Sequence, residues 1–247
     1  MELVLPSVYA IDLGYVYAYM VDTGPELVLI DTGLVGNEKQ ILRGVASLGR
    51  KVGDIKHILI THHHADHVGG LRALRDASGA TVYVHVLDAP IVAGSVKRPG
   101  ANPKSIAGLL LGPIVTRLPM YNPPIVNTDV EVTDGQDLPI GEGFTVIHTP
   151  GHTAGSVSYL MRGNGGVLFA GDAAGRLLGR LDLPLRMFTE DMRQAKRSLR
   201  KLAAVEFDTA CFGHGRAMKG RANLKLRRFI EKRTRKIQAQ EQGGNPA

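Results

Sequence analysis

Cysteine is almost missing: Cys211 is the single one in 247 residues. No disulfide can form within the chain, a reducing compartment is the expectation, and Cys211 reads as a buried structural thiol. Tryptophan is absent and aromatic content is 5%, which leaves few flat platforms for stacking nucleic-acid bases. No apolar run approaches the ~20 residues needed to span a bilayer, so no membrane partner is expected. The opening MELVLPSVYAIDLGYVY lacks a basic stretch leading into an apolar segment and a cleavage site, so export is not expected and a cytoplasmic location is.

What is present is an ordinary globular composition, 44% hydrophobic and 21% charged, with length enough for a substantial core. Basic residues are in excess, but unevenly. Residues 216–247 carry ten Lys/Arg against Glu231 and Glu241, a net of +8 within a total of +7, so the rest of the chain sums to −1. A basic helix at about 217–240, with Leu224, Leu226, Phe229, Ile230 and Ile237 as a ragged apolar face, reads first as a solvated helix covering the last strand. Nucleic-acid binding through it is the rival reading.

Strand-like runs bounded by Gly, Pro, Asp or Asn occur at 16–21, 27–31, 57–61, 82–86, 144–148, 156–161 and 167–171. Helical periodicity fits 37–49, 69–78, 189–203 and roughly 221–240, with Thr189 as the expected N-cap of the third. The elements fall into two blocks, 1–90 and 126–215. Between them lies a Gly/Pro-rich stretch, 91–125, with Leu109, Leu110 and Leu111 inside it. Metal-capable residues lie on both sides of that stretch, so it reads as an insertion, a lid over a site, in a single domain spanning 1–247.

Those residues are unusually concentrated. THHHADHVGG at 61–70 puts four histidines and an aspartate into positions 62–67. HILIT ends at Thr61, so 62–67 form a strand-to-helix loop. There His62 and His64 can share one side of an extended turn, with Asp66 and His67 at the helix start. The second half adds His152 in HTPGHTAGS, Asp172 in LFAGDAAG and His214 in CFGHG, each in a Gly-rich turn associated with a β-like run. Imidazoles with carboxylates are ligands that zinc, iron and manganese accept. Five His and two Asp suffice for two ions sharing a water. His57, His63, His85 and His148 read as ordinary packed or exposed histidines, and Asp31 in LVLIDTG as a carboxylate that fixes a loop or orients a ligand.

The pattern His62-x-His64-x-Asp66-His67, followed in order by His152, Asp172 and His214, resembles the metallo-β-lactamase superfamily, which includes glyoxalase II-type thioesterases and lactonases. LVLIDTG, THHHADHVGG, HTPGHTAGS and FAGD carry the resemblance over about residues 8–216. It implies an α/β fold, the four-layer αββα sandwich. It implies one ion on His62, His64 and His152, a second on Asp66, His67 and His214, and Asp172 bridging them. The expected ions are two Zn2+, with Fe or Mn accepted by the same donors.

The implied activity is hydrolysis of an ester, lactone or thioester bond by a hydroxide activated between the ions, with Asp66 and Asp172 in catalytic roles. Only 33 residues follow His214, short of the helical domain with which glyoxalase II relatives bind glutathione. Lactonases of the superfamily usually place a tyrosine three residues beyond the bridging aspartate. Here that position is Gly175, and Tyr121 in the insertion is the candidate replacement. The apolar stretches 91–125 and 176–188 suit a hydrophobic acyl substrate or, alternatively, a homodimer interface. Phosphodiester or nucleic-acid cleavage is the alternative activity. β-Lactam hydrolysis and iron redox chemistry stand further off, the latter because His64 occupies a position that the oxygen-reducing diiron branch fills with glutamate.

Overall fold

The run LVLI at 27–30 buries all four side chains, and it buries them in two different places. Leu27 and Leu29 join one apolar cluster, while Val28 and Ile30 join another. Because side chains alternate along a strand, a strand that is apolar throughout must lie between two packed layers. That arrangement is what the computed structural model shows. It describes residues 1–243, with side-chain surroundings to Arg235.

Seven strands form the first sheet in chain order: β1 (Glu2–Leu5), β2 (Val8–Asp12), β3 (Tyr17–Asp22), β4 (Leu27–Ile30), β5 (Ile55–Leu59), β6 (Thr81–His85) and β7 (Val130–Val132). The first four pair antiparallel and the last four parallel. The parallel steps need crossovers. Helix α1 (Glu38–Ser47) supplies one, and α2 (Ala65–Val68) with α3 (Leu71–Ser78) the next. Helix α4 (Ala89–Val92) and helix α5 (Ile106–Val115) lie within the long connection to β7. The second sheet has the order β14-β11-β10-β9-β8 and is built from β8 (Asp137–Leu138), β9 (Phe144–His148), β10 (Val157–Met161), β11 (Val167–Phe169) and β14 (Thr209–Cys211). A separate hairpin, β12 (Gly175–Leu177) and β13 (Arg180–Asp182), follows β11. Helix α6 (Met192–Ala203) leads into β14, and α7 (Ala222–Gly243) closes the described chain.

Three apolar clusters separate four layers. Ile41, Val45, Leu71 and Leu74 of α1 and α3 cover the outer face of the first sheet. Tyr19, Val28 and Ile30 meet Phe144, Val146, Tyr159 and Phe169 between the sheets, where Cys211 is also buried. Leu199 and Leu202 of α6 and Leu226 of α7 cover Ile147, Leu168 and Ala210 on the outer face of the second. The order is αββα.

The structure alters several sequence expectations. The boundary between the halves lies after β7, because residues 130–132 complete the first sheet rather than begin the second. The insertion is not all loop, since Ile106–Val115 is helical despite Gly108, Gly112 and Pro113. The segment at 176–188 contains the β12–β13 hairpin. Thr189 does not cap α6. The helix begins later, and Asp191 takes the cap by accepting from Arg193 N at 2.7 Å and Gln194 N at 3.0 Å, a stronger acceptor at the helix's positive end. The basic helix starts at Ala222, with residues 217–221 outside it.

Candidate metal centre

Parallel strands direct their C-terminal loops to one edge of a sheet, where open α/β sheets gather their ligand-binding residues. Here both sheets do so at a common edge. His62, His64, Asp66 and His67 follow β5, Asp172 follows β11, His214 follows β14, and His152 sits in the β9–β10 turn. Three donor groups result, each with its ligand atoms within 4.8 Å of one another: His62–His64–His152, His62–His67–Asp172, and Asp66–His67–His214. The structure therefore brings all seven sequence-identified residues into one cluster. Asp172 Oδ2 stands 3.3 Å from both His152 Nε2 and His214 Nε2, one histidine from each outer group. His214 Nε2 also lies 3.3 Å from Asp66 Oδ2.

The donor set fits divalent cations by its unmet valence. Buried polar atoms are almost always paired. Yet His67 Nε2, His152 Nε2 and Asp172 Oδ1 have no hydrogen-bond partner among the described residues, although carboxylate oxygens stand within 3.5 Å of both imidazole nitrogens. Distances are short there but the hydrogen-bond geometry is missing, as expected for ligand atoms aimed at a shared point rather than at each other.

The ring nitrogens facing away are held. His67 Nδ1 lies 2.7 Å from Asp31 Oδ2, and Asp31 also accepts from Thr61 N and Thr61 Oγ1 at 2.8 and 2.7 Å. Asp31 holds φ at +59°, which turns its carboxylate from the end of β4 toward this loop. Thr189 Oγ1 stands 3.1 Å from His152 Nδ1, and Tyr15 O stands 2.8 Å from His214 Nδ1. These contacts orient the rings so that Nε2 points inward. Asp88, fully buried, accepts from His63 N, Thr153 Oγ1 and Gly155 N at 2.8–2.9 Å, tying the loop carrying His62–His67 to the loop carrying His152.

The electrostatics divide the histidines. Burial pushes His62 and His64 well below the ordinary imidazole value and His152 down to about 4. For His67 burial pulls the same way, but Asp31, Asp172 and Asp66 outweigh it and raise the group to about 9. In His214 burial is likewise overcome, chiefly by Asp172 and Asp66, which lift it to about 12. Burial opposes the charge of the two carboxylates, yet the neighbouring histidines hold Asp66 and Asp172 below the usual carboxylate range.

A cavity of about 770 Å³ opens over the cluster. His64, Asp66, His152, Asp172 and His214 form its floor, while Leu177, Leu183, Leu185 and Phe188 supply apolar wall. Tyr121 reaches it, stacked on Phe188 at 6.4 Å between centroids. Tyr15 was not visible as a site residue from sequence. It stacks on His214 at 5.8 Å, and burial followed by the nearby Asp66 keeps its hydroxyl protonated. Thr189 and Asp88 were missed as well; neither carries a local signal, because their partners lie 37 and up to 67 residues away.

Gly213 shows how closely the second sheet approaches. A Cβ there would stand 2.2 Å from Asp172 Oδ1 and 2.7 Å from His67 Cε1. Gly213→Ala is expected to lower metal affinity at least about tenfold, the scale seen when ligand orientation is disturbed. Metal content after equilibrium dialysis checks it, and unchanged retention would show that the loop can yield.

Comparison with known proteins agrees with this geometry. The family profile described as Metallo-beta-lactamase superfamily matches residues 11–214. A Bacillus subtilis protein named Probable metallo-hydrolase YflN is 31% identical over 225 residues, covering 85% of this chain and 84% of its own. The Hydroxyacylglutathione hydrolase of Cereibacter sphaeroides is 32% identical over 69% of this chain, which spans 52% of that relative. Among solved structures, a HARLDQ-motif mutant of a Cronobacter sakazakii metallo-beta-lactamase aligns over 100% of both chains with a TM-score of 0.73 and 25% identity. A subclass B3 metallo-beta-lactamase of Bradyrhizobium japonicum aligns over 97% of this chain and 94% of its own with a TM-score of 0.67 and 23% identity, a likeness of fold.

Proposed function

Because the chain belongs to the metallo-beta-lactamase superfamily, we propose that it is a dinuclear metallohydrolase cleaving an ester, lactone or thioester bond of an apolar acyl substrate. The observation that carries this reading is the juxtaposition of the seven-residue donor cluster with a cavity walled by Leu177, Leu183, Leu185 and Phe188. Apolar walls around a few convergent polar groups suit an acyl chain.

His62, His64 and His152 would hold one ion, Asp66, His67 and His214 the other, and Asp172 both. Zinc is the proposed metal. Such a pair, when bound, supplies a water acidified towards a pKa of about 7 and a Lewis acid for the acyl oxygen. The chain's own residues do the rest. Asp31, Thr189 and the Tyr15 carbonyl keep the imidazoles aligned. Asp66, a carboxylate bordering the cavity, would accept the proton released by the attacking water and pass it to the leaving group. The Tyr15 hydroxyl stays protonated and faces that of Tyr121, which is protonated too and can donate to the substrate's acyl oxygen. The leucine wall takes the chain.

Phosphodiester cleavage would draw on Lys97, Arg98 and Arg176, which also border the cavity. Two of these are already engaged. Arg98 Nη1 donates to the His63 carbonyl, and Arg176 donates to the carbonyls of Arg216, Ala217 and Gly179 at 2.8–3.0 Å. That leaves Lys97, too little for a phosphate backbone, and acyl chemistry is favoured. The name of the Cereibacter relative, Hydroxyacylglutathione hydrolase, supports the same side.

An apolar wall predicts that kcat/KM rises with acyl-chain length across a homologous series of aryl esters or lactones. At about 0.8 kcal/mol per buried methylene, each added carbon is worth up to roughly fourfold until the wall is filled. A flat dependence from short to long chains would sink the apolar-substrate reading.

A further inference from the structure

Helix α5 packs onto its own protein through glycine. A Cβ at Gly108 would stand 2.1 Å from Asn102 O, and one at Gly112 2.6 Å from Ala101 Cβ. Its large side chains consequently face away: Ile106, Leu109, Leu110, Leu111 and Ile114 are 80, 61, 66, 52 and 64% exposed. A helix that only covered its own core would turn such side chains inward. Nor is the helix loosely placed. Asn102 anchors its approach by donating from N to Met187 O at 2.7 Å and from Nδ2 to Thr189 O at 2.6 Å. Nearby, the β12–β13 hairpin and its exit add Leu177, Leu178 and Leu185 at 68, 94 and 69% exposure, and Leu177 and Leu185 lie at the cavity wall. Apolar surface this large on a folded protein marks a contact.

Charge selects the occupant. Residues 89–128 contain no acid but hold Lys97, Arg98, Lys104 and Arg117. Of these Lys97, Lys104 and Arg117 are exposed, as are Arg180 and Arg186 beside the hairpin. The one acid of residues 173–189, Asp182, is already paired with Arg233 at 2.5 Å. A second copy meeting this face about a two-fold axis would set these cations against their own copies. An exposed apolar surface with exposed cations on its own segment and on the hairpin, and no unpaired acid among them, instead matches a bilayer interface carrying anionic headgroups, into which apolar side chains sink by ~5–10 Å. We propose that α5 and the β12–β13 turn dock the protein on the surface of a bilayer containing anionic lipid. The lack of a bilayer-spanning run bears only on crossing the membrane, and the docking stands whether or not the substrate is an acyl ester.

Flotation of the full-length protein with vesicles tests this, using equimolar phosphatidylglycerol and phosphatidylcholine against phosphatidylcholine alone. Binding to the anionic vesicles and little to the neutral ones is the expected result. Leu109→Ser, Leu110→Ser and Leu111→Ser together, which keep every charge, should abolish it. Lys97→Gln, Lys104→Gln and Arg117→Gln together should weaken it by roughly two orders of magnitude, at about 1 kcal/mol per cation. No binding by the parent protein overturns the proposal, and so does undiminished binding by the serine variant, which would place the contact on basic α7. Since the chain has no tryptophan, Leu110→Trp gives a second readout that leaves the packing glycines untouched. Its emission should shift to the blue and be quenched by brominated lipid in anionic vesicles; unmoved emission contradicts docking through α5.

Discussion

Asp172→Ala should lose hydrolytic activity by on the order of a thousandfold or more, equivalent to about 4 kcal/mol of transition-state stabilisation, while keeping its fold. Asp172 is the carboxylate that faces a histidine of each outer donor group, at 3.3 Å in both cases. One of its oxygens has no hydrogen-bond partner among the described residues, so truncation would remove the proposed ligand without breaking a structural hydrogen bond on that side. Circular dichroism and a denaturant midpoint near the parent's would establish that the fold persists. Activity within a few-fold of the parent would show that Asp172 does not serve both ions. Asp172→Asn, which keeps the size, separates charge from packing and should be nearly as inactive.

Metal uptake should release protons, and its stabilising effect should grow with pH. Without metal, the carboxylates hold His67 protonated up to about pH 9 and His214 up to about 12, whereas a metal ligand must be neutral. Both folded values lie above the unfolded value of about 6.5. Their stabilisation of the metal-free protein is therefore complete below about pH 6.5 and is lost as pH rises through the folded values. Asp66 and Asp172 are depressed, so their share is present above about pH 4 and lost on further acidification. Metal reverses the histidine part, because it competes with those protons. At pH 7 up to two protons should appear per protein on zinc addition, measured with an indicator dye in weak buffer. The metal-induced rise in Tm should be larger at pH 8.5 than at pH 6; at a free zinc concentration about a hundred times Kd it corresponds to roughly 2.7 kcal/mol. Zinc uptake with no proton release would contradict the charge distribution described. Chelation should remove activity, and zinc should restore it.

The metal cluster was legible because its chemistry is local. Four of the proposed ligands sit within six residues, and each later one lies in a Gly-rich turn associated with a strand, so position in the chain predicts position at the sheet edge. The alternation in LVLI and the repeated strand–helix order made the layers legible as well. What escaped was set by distant partners. Thr189 looks like a helix cap, but Asp191 provides a charged acceptor two residues on, and the Thr189 hydroxyl is left to His152. Tyr15 carries no motif, and its role comes from the β14 loop bringing His214 against it. Helix α5 reads as a loop because Gly108, Gly112 and Pro113 are helix breakers by propensity. In the fold those glycines are the packing surface against Ala101 and Asn102, and that need overrides propensity. Strands as short as β12 and β13 hold too few residues to show a period.

The measurement closest to the central claim compares kcat/KM of the zinc-loaded protein for a long-chain lactone, a long-chain aryl ester, a glutathione thioester, a β-lactam and an aryl phosphodiester, with Asp172→Ala as background. Clear preference for the lactone or the aryl ester, lost in the variant, is expected. Preference for the phosphodiester, equally lost in the variant, would contradict it and give the basic α7 helix and Lys97 the substrate instead.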